Sequence, residues 1–188
     1  MILRKIVLGV VASTMALGLS LAPALAAETG LSWTSYDSGA HGFSVKFPFK
    51  NVTRTEQSIT PEGATQKVPM TIFLSSEGNN GPFGVTSYDV TNWSLAQSLK
   101  TGHNQTDVAA KLLTGIFASN QINFMSLRVK PIGENTVASF TFALNSTYFS
   151  GELVVTKSNM MYVVYHNYSQ VGSEANVYNE FINSFVAK

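Results

Sequence analysis

Three histidines are the residues of this chain best suited to acid–base or metal chemistry. They are His41, His103 and His166, and no two of them lie close together in the sequence or have closely spaced acidic residues beside them. Metal sites are usually marked by ligands at short spacing, as in His-Glu-x-x-His. The sequence therefore predicts no metal site, and it indicates no cofactor.

Two of the histidines are typical of turns, and the third lies in a strand. His41 directly precedes the alternating stretch "GFSVKFPF", and His103 lies in the polar stretch "TGHNQT", so we expect both to be at the surface. In "YVVYHNY" the alternation of a strand puts Tyr162, His166 and Tyr168 on one face. These three side chains either line a polar and aromatic binding pocket or are ordinary residues of a sheet.

The sequence offers no recognisable catalytic motif. The absence of cysteine excludes a cysteine nucleophile, and no Gly-x-Ser-x-Gly turn is present to present a reactive serine. The glycine-rich stretch "EGNNGPFG" lacks the lysine of a phosphate-binding loop. The chain is therefore predicted not to be an enzyme.

The amino terminus has the layout of a secretory signal peptide. Arg4 and Lys5 precede an apolar stretch that closes on Ala24-Leu25-Ala26, so cleavage is expected after Ala26 and residues 27–188 form one domain. An uncleaved membrane anchor is the alternative, because the apolar stretch is close to the length that spans a bilayer. Cleavage predicts a periplasmic or extracellular protein with no stable membrane insertion.

The charge of the mature chain gives no support to nucleic-acid binding. Without Arg4 and Lys5, ten of the 12 basic residues face 11 acidic residues, so the mature protein is almost neutral. Nucleic acids and anionic lipids are bound by concentrated basic surfaces. A protein partner in the cell envelope or outside the cell is expected instead.

The periodicity of apolar residues changes twice along the mature chain. Alternating segments predict strands near 31–38, 43–49, 51–60, 68–76, 83–90, 122–133, 136–144, 147–156 and 160–169. A spacing of three to four residues predicts a helix at 107–118, with Thr106 as N-cap, and a terminal helix behind Ser173. This order predicts an α+β fold with an antiparallel β-sheet and amphipathic helices packed on it.

These features together resemble the PsbP-like superfamily. The resemblance covers roughly residues 31–187 and is carried by "GFSVKFPF", the polar strand after it, the central amphipathic helix, the meander and the terminal "FINSF". That superfamily includes accessory proteins of the photosynthetic oxygen-evolving complex and exported bacterial proteins. The resemblance implies an α/β/α sandwich and a non-enzymatic accessory or binding role.

Two functions remain open. In the first, a non-catalytic accessory protein of the bacterial envelope contacts a protein partner, with Trp93 either exposed at the centre of the contact or packed between helix and sheet. In the second, the protein carries an apolar small molecule in a cavity between the sheet and helix 107–118. That cavity would be lined by Phe73, Phe140, Phe142 and Tyr162.

Overall fold

The fold contains two antiparallel sheets and three α-helices in the part of the chain that the structure describes. The computed structural model describes residues 31, 33–76, 82–118, 121–168 and 175–188. The helices are α1 (Ser94–Thr101), α2 (Gln105–Ile116) and α3 (Ala175–Asn183), and a 3₁₀ turn spans Gly39–His41. The strands are β1 (Thr34–Asp37), β2 (Phe43–Phe47), β3 (Val52–Ile59), β4 (Val68–Ser75), β5 (Phe83–Asp89), β6 (Asn123–Ile132), β7 (Asn135–Leu144), β8 (Thr147–Val155), β9 (Met160–Tyr168) and β10 (Val186–Ala187).

The larger sheet has seven strands in the order β3-β4-β5-β9-β8-β7-β6, and every neighbouring pair is antiparallel. Strands β7, β8 and β9 form the meander predicted over 136–169, and β6 adds a fourth strand to it. Between β7 and β8, Asn145 and Ser146 both have positive φ angles, 49° and 64°, which a two-residue hairpin with the twist of the flanking strands requires. The antiparallel sheet predicted from alternation is confirmed.

Helices α1 and α2 cover the first face of this sheet. Helix α2 buries Ala109, Leu112, Leu113 and Ile116 against aromatic and aliphatic residues of the strands, including Phe140 and Phe142. Each fully buried leucine or isoleucine side chain contributes about 1.5–3 kcal/mol to folding. The predicted packing of an amphipathic helix on the sheet is therefore confirmed.

The second face is covered by α3 and by a three-stranded sheet in the order β1-β2-β10. In β2, Phe43, Val45 and Phe47 are buried and Lys46 is exposed, as the alternation predicted. The buried side of β2 packs on Phe73 of the large sheet and Phe181 of α3. The layer on the second face is therefore part sheet and part helix. The expected α/β/α sandwich must be extended by this small sheet.

Several local expectations need correction or fall outside the described residues. No helix was predicted for 94–101, but this stretch forms α1, because burial of Ala96 and Leu99 stabilises a helix too short to form alone. Helix α2 begins at Gln105, and Asn104, in the left-handed conformation, takes the N-cap position expected for Thr106. Ser173, most of "EGNNGP" and residues 1–30, which include the predicted signal peptide, lie outside the described residues.

The longest helix among the described residues has 12 residues. No helix in that part of the chain combines the length and the apolar character needed to cross a bilayer.

Candidate functional site

The predicted binding residues of β9 share one face of the large sheet. Tyr162, His166 and Tyr168 all point to the second face, separated from one another by intervening strand residues. The structure places them in a row along the strand and not around a common pocket. Their role in binding stays a prediction, and the surroundings of each residue decide what it can do.

Tyr162 joins the two sheets. Its ring is buried against Phe43 and Phe185, and its hydroxyl donates to the carbonyl oxygens of His41 at 2.8 Å and Gly42 at 3.0 Å. Gly42 has a φ of 66°, and a Cβ there would lie 3.0 Å from the Tyr162 hydroxyl. Burial raises the pKa of Tyr162 to about 12. Tyr162 therefore anchors the turn that leads into β2.

His166 is enclosed, with only 1% of its surface exposed. Its ring stacks on Phe83 of the neighbouring strand, with centroids 4.1 Å apart and an interplanar angle of 6°. Burial lowers the pKa of His166 to about 3, because the charged imidazolium loses its hydration. His166 is therefore neutral at physiological pH and has no access to a solvent-borne ligand in this structure.

Tyr168 is the most accessible of the three. Its ring stacks on Tyr148 at 5.6 Å, and its hydroxyl lies 3.0 Å from Ser150 Oγ, which is 3.1 Å from Thr141 Oγ1. The hydroxyl chain formed by Thr141, Ser150 and Tyr168 crosses three strands. Chemically, this arrangement can donate and accept hydrogen bonds at a half-buried surface, and it includes no activated nucleophile.

Trp93 is part of the core. It is 1% exposed, its ring makes an edge-to-face contact with Tyr88, and its indole Nε1 donates to the carbonyl oxygen of Glu62 at 2.9 Å. The expectation of an exposed indole is wrong. The other interpretation describes its position, because the apolar body of Trp93 holds the start of α1 against the sheet while its polar atom finds a backbone partner.

The pair His41 and Ser87 was not predicted to be in contact. His41 Nδ1 lies 3.4 Å from Ser87 Oγ, and the imidazole ring meets Phe73 edge-on at 5.2 Å. Burial lowers the pKa of His41, a nearby Arg54 adds to this effect, and Glu56 opposes it. Sequence spacing gave no signal for this pair, because β2 to β5 must fold before the two residues meet.

The pair does not form a usable active site in this structure. Ser87 is buried on β5, and its hydroxyl is also 3.5 Å from the carbonyl oxygen of Thr71. His41 was expected at the surface, but it is half-buried. His103 is exposed, as expected. Across residues 33–76, 82–118, 121–168 and 175–188, no three His, Asp or Glu residues are grouped closely enough to hold a metal ion.

The residues proposed to line an apolar cavity do not face one another. Phe140 and Phe142 lie on the first face, under the helices, whereas Phe73 and Tyr162 lie on the second face. The predicted lining is therefore corrected. Alternation relates only residues of the same strand. The register between strands decides which face of the sheet each of these residues occupies.

A further surface was missed by the sequence analysis. Strand β6 forms one edge of the large sheet and pairs, among the described strands, with β7 alone. Its second-face residues Ser126, Arg128 and Lys130 are exposed. We call this strand and its outward side the β6 edge. The only signal in the sequence was the alternation of basic residues in "SLRVK", which does not distinguish an edge strand from a central one.

Comparison with known proteins supports the fold. No protein-family model matches the chain, and no curated protein matches it. The chain is similar to the solution structure of cyanobacterial PsbP (CyanoP) from Synechocystis sp. PCC 6803, with a TM-score of 0.52 and 8% identity over 88% of this chain and 98% of that chain. The chain therefore has a PsbP-like α+β fold, as the resemblance implied.

Proposed function

We propose that this chain is a non-catalytic accessory or binding protein that is exported to the bacterial cell envelope and acts through contacts with another protein. The β6 edge is the observation that carries the proposal, because it leaves strand backbone and charged side chains uncovered. Helices α1 and α2 cover the first face of the central strands, and α3 with the small sheet covers their second face. The opposite edge strand, β3, is also exposed, but its Arg54 and Glu56 pair with each other. The likeness to cyanobacterial PsbP adds an analogy at the level of fold only.

The described chemistry favours binding over catalysis. The pair most like catalytic machinery, His41 and Ser87, is occupied by internal contacts, with His41 at the end of the 3₁₀ turn and Ser87 buried on β5. Tyr162 joins the large sheet to the turn before β2, and His166 stacks on Phe83 within the large sheet. Thr141 and Tyr168, the two partly accessible ends of the hydroxyl chain, supply hydrogen-bonding groups for a partner.

Export is the second part of the proposal and rests on the amino-terminal sequence. Arg4, Lys5, the apolar stretch and the small residues before Glu28 match a signal peptide. Expression of the tagged full chain in its source organism, fractionation and amino-terminal sequencing test this. We expect a product that begins at Ala27 outside the cytoplasm. An unprocessed product retained in the cytoplasm would contradict export.

Protein contact is tested by affinity capture with immobilised mature protein. Envelope and cytoplasmic extracts of the same cells are compared, and the eluted proteins are quantified. We expect a partner retained in stoichiometric amount from the envelope extract. Folded bait that retains nothing above the blank resin would contradict a protein partner.

Native mass spectrometry of the protein purified from its source separates this function from the alternative. A carrier of an apolar small molecule would bring a discrete adduct, whereas the proposed accessory protein has the mass of the mature chain alone. The division of Phe73 and Tyr162 from Phe140 and Phe142 between two faces favours the second result.

A further inference from the structure

The β6 edge is a long and unpaired side of the large sheet. Strand β6 has ten residues, and its ladder with β7 runs from Asn123 to Ile132. In an antiparallel ladder, alternate residues direct their N–H and C=O groups to the partner, and the remaining residues direct them outward. About half of the backbone groups of β6 are therefore available to another strand.

The first-face row of β6 is apolar and incompletely covered. A bulge between Phe124 and Ser126 shifts the register, and Met125 at this bulge is 54% exposed. Because of the shift, Phe124, Leu127 and Val129 all pack against the first-face core while staying partly accessible. The apolar layer under α2 therefore continues to the edge, where side chains of an added strand would extend it.

The second-face row of β6 is basic, and no described acidic residue forms an ion pair with it. Arg128 lies opposite Ser139 of β7, and Lys130 lies opposite Val137. Within the described part of the chain neither cation forms an ion pair. Glu152, the acidic residue nearest along this row, lies one strand further away and accepts a hydrogen bond from Ser139 Oγ at 3.1 Å.

This pattern of charge selects the kind of strand that fits. Two copies of β6 paired in antiparallel fashion would bring Arg128 and Lys130 of one copy to the same face as those of the other, and like charges on opposed strands are destabilising. The opposite edge, β3, differs because its exposed Arg54 and Glu56 already pair with each other. Cations on an edge strand protect it from general aggregation, but the same cations attract an acidic strand.

We propose that the β6 edge accepts, by β-strand addition, an extended segment of a partner protein in which apolar and acidic side chains alternate. The apolar side chains extend the row of Leu127 and Val129, and the acidic side chains face Arg128 and Lys130. This inference rests on the proposed function, because it names the surface and the chemistry of the partner for the same contact.

A synthetic, fluorescently labelled peptide of about nine alternating valine and glutamate residues tests the inference on the mature protein. Binding is measured by anisotropy at low salt. A peptide of the same composition, with valines and glutamates in two blocks, is the comparison. We expect the alternating peptide to bind at least tenfold more tightly. No binding, or equal binding of the two peptides, overturns the inference.

Charge reversal locates the site. Arg128→Glu with Lys130→Glu is expected to weaken peptide binding roughly tenfold or more, since two exposed attractions become repulsions. The matched control is Lys67→Glu with Lys111→Glu, which makes the same change in net charge at exposed positions outside the β6 edge. The control is expected to bind within twofold of the original protein. An equal loss in both variants would show a general charge effect and overturn the site.

Backbone pairing is tested on the peptide. N-methylation of every second residue blocks one edge of the peptide, and N-methylation of the intervening residues blocks the other edge. Strand addition predicts that one of these peptides loses binding and the other keeps it. Equal behaviour of both would indicate electrostatic attraction without a shared ladder and would overturn the inference.

Capture experiments separate this inference from the proposed function. If the original protein retains an envelope partner and the Arg128→Glu, Lys130→Glu variant retains it equally, the proposed function stands and the β6 edge is the wrong surface. If the original protein retains no partner, the proposed function itself fails. Dimers of the original protein, detected by sedimentation and lost in the double variant, would assign the edge to a second copy and overturn the inference.

Discussion

Acidification is expected to destabilise the protein through His166, beginning near neutral pH. The pKa of His166 is lowered to about 3 by burial, against about 6.5 in an unfolded chain. Between these values the unfolded state binds a proton that the folded state excludes. Stability therefore falls as the pH decreases from about 7 towards 3.

The size of the effect follows from the width of this window. Each pH unit inside it costs about 1.4 kcal/mol for one proton. Between pH 7.5 and pH 5 the unfolded imidazole becomes almost fully protonated, so His166 accounts for a loss of about 2 kcal/mol. The hydrogen bond from Lys188 is the main cause that lowers the pKa of Asp37. The stability that Asp37 contributes is lost only below about pH 4.

Urea unfolding of the mature protein at several pH values measures the loss. The replacement His166→Phe keeps an aromatic ring against Phe83 and removes the titrating group, so its loss between pH 7.5 and pH 5 should be smaller by about 2 kcal/mol. His103→Gln is the control, because His103 is exposed. The contribution of His41, whose pKa is also lowered, is common to all of these proteins.

An equal loss of stability in His166→Phe and in the original protein would refute this reasoning. If His166→Phe loses as much stability on acidification as the original protein, the imidazole is not held neutral by burial. The description of His166 as an enclosed core residue would then be wrong, and a solvent-accessible site near β9 would have to be reconsidered.

Three further substitutions test the packing that positions the candidate surfaces. Gly151→Ala places a methyl group against the carbonyl oxygen of Val164 and 2.6 Å from the ring of Phe140. The free energy of unfolding in urea is expected to fall by about 1–3 kcal/mol, and an unchanged midpoint would contradict this close approach. Trp93→Ala should lower the free energy of unfolding by about 3–5 kcal/mol. A variant as stable as the original protein would contradict the burial of the indole. Tyr162→Phe should cost about 1 kcal/mol and increase amide hydrogen exchange in β2, while unchanged exchange would argue against the hydroxyl as an anchor.

The sequence contained enough information to locate most strands and the covering helix. Alternation in "FSVKF" and in "MMYVVYHNY" marks segments whose side chains must divide between two faces, and the spacing of Leu112, Leu113 and Ile116 marks a helix with one apolar side. These signals are local, because each depends on residues within a few positions of one another. Helix α1 was missed because its stability comes from burial of Ala96 and Leu99 by other elements.

The candidate site was much less accessible to this reasoning. Alternation correctly placed Tyr162, His166 and Tyr168 on one face, but it could not show that Phe83 would cover the imidazole or that the carbonyls of the 3₁₀ turn would receive the Tyr162 hydroxyl. These contacts join residues far apart in the chain. A polar residue at a strand position has the same sequence pattern whether another layer covers it or not.

The amino-acid sequence by itself determined the near balance of basic and acidic residues and the segments that become strands or amphipathic helices, since these follow from composition and from short periods, and it is the basis of the prediction of export. The tertiary structure alone decided which strands lie at the edges and which aromatic residues share a face. Those properties depend on the order and register of strands such as β3 and β6, and long-range packing sets them. For that reason the burial of Trp93 and the accessibility of Arg128 become apparent only in the folded molecule.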